Sequence, residues 1–261
     1  MIFVGIDIGS TASKVVVRGD VSSEFVMPTG WSSKETAKII KDALLNDNID
    51  VESNDVIVGA TGYGRVAVDF ADYIVTEITC HGLGGYEIAG KDCTIIDIGG
   101  QDTKIIKIEN GIVTDFLMND KCSAGTGKFV EIMANRLGVD INDLFNMAMT
   151  GQILPISSLC TVFAESEIIN YIGEGRSRKD IAAGVVDSVA GKVAQLFGKF
   201  ANSGYVILTG GLSSNKYFAD SVSKKIRIPV NTSEYGRFAG ALGAARNAEK
   251  KYNKERNGAD S

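Results

Sequence analysis

Hydrophobic positions along this chain fall into short buried runs and longer amphipathic ones, in an order that starts twice. Residues 2–8 predict a buried strand and 14–18 its return partner. Residues 34–46 carry Ala37, Ile40, Ala43 and Leu44 at helical spacing, an amphipathic helix. Residues 55–60 predict a strand ending in the turn Thr61-Gly-Tyr-Gly64, followed by a helix over about 78–89. Residues 94–98 then open a second hairpin, Asn110-Gly111 marks a tight turn, and 112–118 form the next strand. The polar stretch 119–127 is a loop before a helix with Phe129, Met133 and Leu137 on one face. A second loop, Pro155-Ile-Ser-Ser-Leu-Cys160, leads into a helix over 162–172. Ile181, Val185, Val189, Val193, Leu196 and Phe200 mark a long core-facing helix. A strand over 205–208 runs into Thr209-Gly210-Gly211. A helix, a short strand around 228–230 and a small-residue helix over 238–248 follow. Residues 249–261 are charged and read as a frayed tail. The succession predicts an α/β protein of two related lobes, 1–92 and 93–248, the second carrying an insertion at about 119–175.

The repeat is explicit in the residues. Ile6-Asp-Ile-Gly-Ser-Thr-Ala-Ser-Lys14 returns as Ile96-Asp-Ile-Gly-Gly-Gln-Asp-Thr-Lys104, and each copy runs on into apolar residues. Two glycine turns of this kind suit a phosphorylated ligand approached from opposite sides. Gly9 and Gly99 permit close backbone approach, the hydroxyls of Ser10, Thr11 and Ser13 can donate to phosphate oxygens, and Lys14 adds a positive charge. Asp7 and Asp97 end their strands at matching places, where paired carboxylates suit Mg²⁺ held through its waters. Other phosphate motifs fail. Gly125-Thr-Gly-Lys128 resembles the end of a P-loop, but the first glycine falls on Cys122 and Phe129 replaces the Ser/Thr.

Bulk properties narrow the field. Hydrophobic residues make up 44%, enough for a globular protein with substantial cores. A net charge of -5 and a pI near 5.1 argue against a nucleic-acid binder. No apolar run of bilayer length and no signal-type N-terminus is read, so a cytoplasmic location is expected. The single histidine, His81, has no neighbours that suggest a zinc site or a triad, and no role follows for Trp31 or Tyr63.

The cysteines are Cys80, Cys93, Cys122 and Cys160, with no zinc-ribbon or CxxC spacing. Cys80 and Cys93 read as buried structural residues. Cys122 and Cys160 each sit in a polar loop just before a helix, where unpaired amides favour anions, including thiolate. Two such residues per chain give either half of a four-thiolate cluster site or two ordinary thiols.

With two DxG hairpins and Ile207-Leu-Thr-Gly-Gly211 in the adenosine position, the chain resembles the actin, sugar-kinase and heat-shock-chaperone ATPases, a duplicated ribonuclease-H-like fold. A narrower resemblance rests on seven segments in order. They are 6–14, Thr61-Gly-Tyr-Gly-Arg65, Glu77-Ile-Thr-Cys-His81, Asp97-Ile-Gly-Gly-Gln-Asp102, Met118-Asn-Asp-Lys-Cys122, Ser158-Leu-Cys-Thr-Val-Phe-Ala-Glu-Ser166 and Phe238-Ala-Gly-Ala-Leu-Gly243. Together they are similar to the activator (component A) of 2-hydroxyacyl-CoA dehydratases.

That resemblance implies an ATP-driven one-electron donor, with Cys122 and Cys160 giving two ligands of a [4Fe–4S] cluster that bridges a homodimer. It implies ATP/ADP and Mg²⁺ as cofactors, a reduced ferredoxin or flavodoxin as electron source, and an acyl-CoA dehydratase as recipient. Nucleotide contacts are implied at Ser10, Thr11, Ala12, Ser13 and Lys14, at Gly99, Gly100, Gln101 and Asp102, and at Gly210, Gly211, Asn215 and Gly240. Asp7 and Gln101 are the expected catalytic residues. Gln101 can orient a water but cannot take its proton, which suits slow hydrolysis; alternatively it only hydrogen-bonds phosphate. Three rivals share the fold: a small-molecule kinase, for which no Gly-x-Gly-x-Asp base loop is present; a non-redox nucleotide switch; and the ATPase subunit of an aromatic-acyl-CoA reductase.

Overall fold

The computed structural model describes residues 1–156, 160–200 and 204–259. Two five-stranded sheets carry the fold. The first has strands β1 (Ile2–Ile8), β2 (Ala12–Gly19), β3 (Ser23–Pro28), β4 (Val56–Thr61) and β5 (Tyr73–Ile74), in the order β3-β2-β1-β4-β5. The second has β6 (Thr94–Ile98), β7 (Thr103–Glu109), β8 (Ile112–Asn119), β9 (Val206–Gly210) and β10 (Val230–Asn231), in the order β8-β7-β6-β9-β10. The orders are the same once the strands are renumbered, so the duplication legible in two nine-residue turns extends to both sheets. In each, the central strand runs parallel to the one that begins the second half, β1 to β4 and β6 to β9.

The helices are α1 (Ser33–Asn46), α2 (Glu77–Ala89), α3 (Gly127–Arg136), α4 (Ile141–Ala148), α5 (Thr161–Gly173), α6 (Arg178–Phe197), α7 (Lys216–Ile226) and α8 (Ala239–Ala259). The Asn110-Gly111 turn forms as read, with both residues at positive φ, 55° and 70°.

Two compact units emerge, one of residues 1–92, 106–115 and 235–261, the other of 93–105 and 116–234. In the first, Val4, Ile6, Val15, Val17, Ile40 and Leu44 pack between the sheet and α1. In the second, α6 lies at the centre of the core, burying Ile181, Val185, Val189 and Val193.

Several sequence expectations change. Strand β3 was not visible because it is a sheet edge: none of its six residues is fully buried, so it lacks an apolar run. Helix α4 is additional to the sequence expectation, and Asp140 caps it by accepting from the Asp143 amide at 2.8 Å. Residues 178–200 do reach bilayer-spanning length and apolarity, but the apolar side chains of this stretch belong to the core of the second unit. The final helix does not stop near Ala248; it continues to Ala259. Tyr252 packs edge-on against Phe3, and Tyr73 donates to Glu255 at 2.8 Å, so the charged stretch is anchored. This helix joins the first unit rather than the second lobe. It lies backbone to backbone on α2, where a Cβ on Gly84 would overlap the Ala239 carbonyl and one on Gly243 the Cys80 carbonyl.

Candidate functional site

The first turn sits at the end of β1. Asp7 pairs with Lys14 across β2 and with Thr61 across β4. Its carboxylate is buried, 4% exposed, and lies 3.7 Å from Lys14 Nζ, which donates instead to the Ala12 carbonyl at 3.2 Å. Ser10 and Thr11 are exposed at the tip, with Ala12 and Lys14 partly exposed. Ser13 departs from expectation. It is fully buried and its hydroxyl bonds Thr29, which donates to the Gly9 carbonyl, so it braces the turn and does not present a donor outward.

The second turn has the same frame and different chemistry. Asp97 pairs with Thr209 across β9, and the threonine hydroxyl donates to Asp97 Oδ1 at 2.7 Å. Lys104, only 2% exposed, stands 3.5 Å from Asp97 and 2.6 Å from Asp102. Gln101 is exposed at the tip. The carbonyls of this turn are engaged: Gly127 N–H donates to Gly99 at 2.9 Å and Lys128 N–H to Gly100 at 2.8 Å. The start of α3 is therefore bonded directly to the glycine turn.

The strands that complete each half also match. β4 and β9 both close on a Thr-Gly pair, Gly62 just after β4 at φ 87° and Gly210 at the end of β9 at φ 85°. Both values lie in the left-handed region that a side chain disfavours. Gly211 N–H donates to the Ile98 carbonyl, holding the third turn against the second. Asn215 caps α7, accepting from Phe218 N–H, and lines a cavity of about 280 Å³ with Phe145, Asn146, Met149 and Tyr217. Gly240 lies beside Asp7 in the first unit, where a Cβ would stand 2.8 Å from Asp7 Oδ2 and 3.0 Å from His81 Nε2. His81, for which no role follows from the sequence, is thus placed at the first turn. The only signal for it was the motif Glu77-Ile-Thr-Cys-His81.

Cys122 and Cys160 are both partly exposed, unlike buried Cys80 and Cys93. Cys122 is held in a shaped loop: Asn119 Nδ2 donates to the carbonyls of Cys122 and Ala124, and Thr103 donates to that of Gly125. The next residue, Ser123, hydrogen-bonds Thr161 at 2.6 Å, hydroxyl to hydroxyl, which brings the Cys122 loop to the start of α5. Cys160 is the N-cap of α5, at the positive end of its dipole. The amides that begin α3 do not face Cys122, as the sequence suggested, because Gly99 and Gly100 take them. Ser158 and Leu159, part of the segment that includes Cys160, lie outside the described residues. Among the described residues no group of three or more His, Cys, Asp or Glu is assembled to hold a metal ion. Burial pushes the Cys80 thiol up to about 12, with the neighbouring Thr61 hydroxyl opposing and Asp7 and Glu77 acting in the same direction as burial. Cys80 is an inert buried thiol.

Known proteins match this arrangement. The family model for BadF/BadG/BcrA/BcrD ATPases covers residues 4–248. The (R)-2-hydroxyglutaryl-CoA dehydratase activating ATPase of Acidaminococcus fermentans is 40% identical over 252 residues, 95% of this chain and 96% of the relative. The solved activator of the 2-hydroxyisocaproyl-CoA dehydratase from Clostridium difficile, with bound ADPNP, superposes with a TM-score of 0.90 at 35% identity, covering 98% of this chain and 97% of that one. A ROK family glucokinase from Streptomyces griseus shares the fold alone, at TM-score 0.60 and 16% identity, with 96% of this chain and 100% of that one covered. The duplicated turns, the twin sheets and these matches lead to one assignment: the chain is an ATPase of the actin and sugar-kinase fold and belongs to the BadF/BadG/BcrA/BcrD ATPase family.

Proposed function

We propose that this ATPase is a cytoplasmic, homodimeric one-electron donor that activates a 2-hydroxyacyl-CoA dehydratase. The observation that carries the reading is a continuous hydrogen-bonded path. It runs from the carbonyls of Gly99 and Gly100 to the first amides of α3, through the loop of Cys122, and by Ser123 to Thr161 beside Cys160. A nucleotide-sensing turn and both exposed cysteines are thereby parts of one bonded assembly.

The donor set fits half of a [4Fe–4S] site. Two thiols, each partly exposed and each on a helix-start loop, are linked through adjacent hydroxyls. A second copy related by a two-fold axis offers an identical pair, giving four thiolates. Cys122 and Cys160 would hold such a cluster, which would supply a single electron taken from a reduced ferredoxin or flavodoxin. The chain's own residues do the rest. Ser10, Thr11 and Lys14 bind phosphate, and Asp7 orients Mg²⁺ through its waters. Gly210, Gly211 and Asn215 seat the adenosine. Gln101 orients the attacking water but cannot itself take its proton, so hydrolysis is slow and suits a switch. The engaged carbonyls of Gly99 and Gly100 pass the state of the turn to α3. A coupling of about 1–3 kcal/mol, typical of such linkage, changes partner affinity 5–150-fold.

The test is reconstitution under anaerobic conditions with an apo-dehydratase, a reductant and ATP. Wild type should activate it, and Cys122→Ala or Cys160→Ala should hydrolyse ATP yet activate nothing. Full activation by either cysteine variant would refute the redox reading and leave a nucleotide switch.

A further inference from the structure

His81 is the only histidine of the chain, 8% exposed, on α2. Its position is set by backbone packing. The close contacts at Gly84 and Gly243 fix α2 on α8, the latter through the carbonyl of Cys80, the residue immediately before His81. Between these contacts lies Gly240. Its absent Cβ leaves room for two side chains to converge, Asp7 Oδ2 and His81 Nε2 standing 2.8 and 3.0 Å from where that atom would be. The imidazole edge and the carboxylate therefore both border the face of one glycine. Asp7 is buried, and Lys14 at 3.7 Å is too far to hold it by a hydrogen bond. A buried carboxylate keeps a single orientation only when polar neighbours fix it. In the second half Thr209 does this for Asp97 at 2.7 Å, whereas at Asp7 the hydroxyl of the equivalent threonine, Thr61, is buried and makes no hydrogen bond.

We propose that His81 is the positioning residue of the first turn. Its Nε2 edge holds the Asp7 carboxylate in the orientation that engages the magnesium–nucleotide, replacing the threonine used in the second half. Gly240 is glycine because a methyl there would press on both groups. The proposal rests on the reading of Asp7 as the magnesium-side carboxylate.

The discriminating pair is His81→Gln and His81→Asn. Both keep a neutral amide of similar polarity; only glutamine reaches the place of Nε2, while asparagine reaches that of Nδ1. Binding of a fluorescent ADP analogue is titrated against Mg²⁺, beside ATP hydrolysis and thermal unfolding. His81→Asn should raise the half-saturating Mg²⁺ about tenfold and lower kcat about tenfold, with KM at saturating Mg²⁺ within about twofold of wild type. His81→Gln should stay within about threefold of wild type in all three. Equal behaviour of the two variants, or an unmoved Mg²⁺ midpoint in His81→Asn, overturns the positioning role. Asp7→Asn separates the two levels. If it leaves the Mg²⁺ midpoint unchanged, the reading of Asp7 fails; if it shifts the midpoint while His81→Asn does not, only the role of His81 fails.

Discussion

The two copies of the DxG turn share register and differ in what their carboxylates do. Asp97 is 1% exposed, bonded by Thr209 and faced by a lysine that is itself buried and tied to Asp102. Asp7 has a looser lysine and a turn whose tip, Ser10 and Thr11, stands open. The carbonyls of the second turn are bonded to α3, while in the first turn Thr29 and Ser13 only brace the loop internally. Duplication thus gave two equivalent frames whose carboxylates are held differently; in the function proposed above, one grips a ligand and the other reports on it. In the second copy the carboxylate is taken up by Thr209 and the turn carbonyls by the first amides of α3.

The sharpest way to break this contrast is to neutralise each carboxylate. Asp7→Asn should lower kcat for ATP by about 10²–10³ while barely changing the melting temperature, since it removes electrostatic stabilisation at the reacting phosphate. Asp97→Asn should do the reverse. It leaves Lys104 buried beside a neutral amide and costs about 2–3 kcal/mol of stability, read by urea unfolding, with a smaller effect on hydrolysis. Equal effects of the two substitutions on turnover would remove the division of labour.

A subtler change isolates the path. Ser123→Ala deletes the hydroxyl contact with Thr161, worth about 1 kcal/mol. It should lower dehydratase activation about fivefold and leave ATP hydrolysis unchanged. A parallel loss of both activities would mean that Ser123 serves folding alone.

The last effect concerns Cys80, and at neutral pH it vanishes. Its pKa is raised in the folded state from 9.0 to about 12, so its contribution to stability is fully present below pH 9. Above that, the unfolded thiol ionises and the folded one does not, so stability falls by about 1.4 kcal/mol per pH unit until about pH 12. Urea unfolding between pH 8 and about 10.5 should show wild type losing stability more steeply than Cys80→Ala by that slope, the remainder including Tyr73, itself raised to about 12.

Much of this was legible in the residues. The repeat at Asp7 and Asp97 announced the twin frames, and period and turn signals located most strands because their apolar runs are continuous. Edge strand β3 escaped because an edge need not be apolar. The extension of α8 escaped because its anchors, Phe3 and Tyr73, are distant in sequence. The same holds at the site. Ser13 reads as a phosphate donor until its partner Thr29 is seen, sixteen residues away. His81 reads as isolated because its neighbours Asp7 and Gly240 are brought to it by packing between α2 and α8. Periodicity reports which face of an element is buried, not which distant side chain a glycine admits.

The central claim is that the second turn speaks to Cys122 and Cys160. The most direct measurement is anaerobic EPR of the reduced protein with iron and sulfide quantitation, comparing ADP with a non-hydrolysable ATP analogue. The expected result is about four irons per dimer, the content of one [4Fe–4S] cluster, and a spectrum that changes between the two nucleotides in wild type. Ser123→Ala should diminish that change. Absence of iron, or a spectrum indifferent to nucleotide, would contradict the claim.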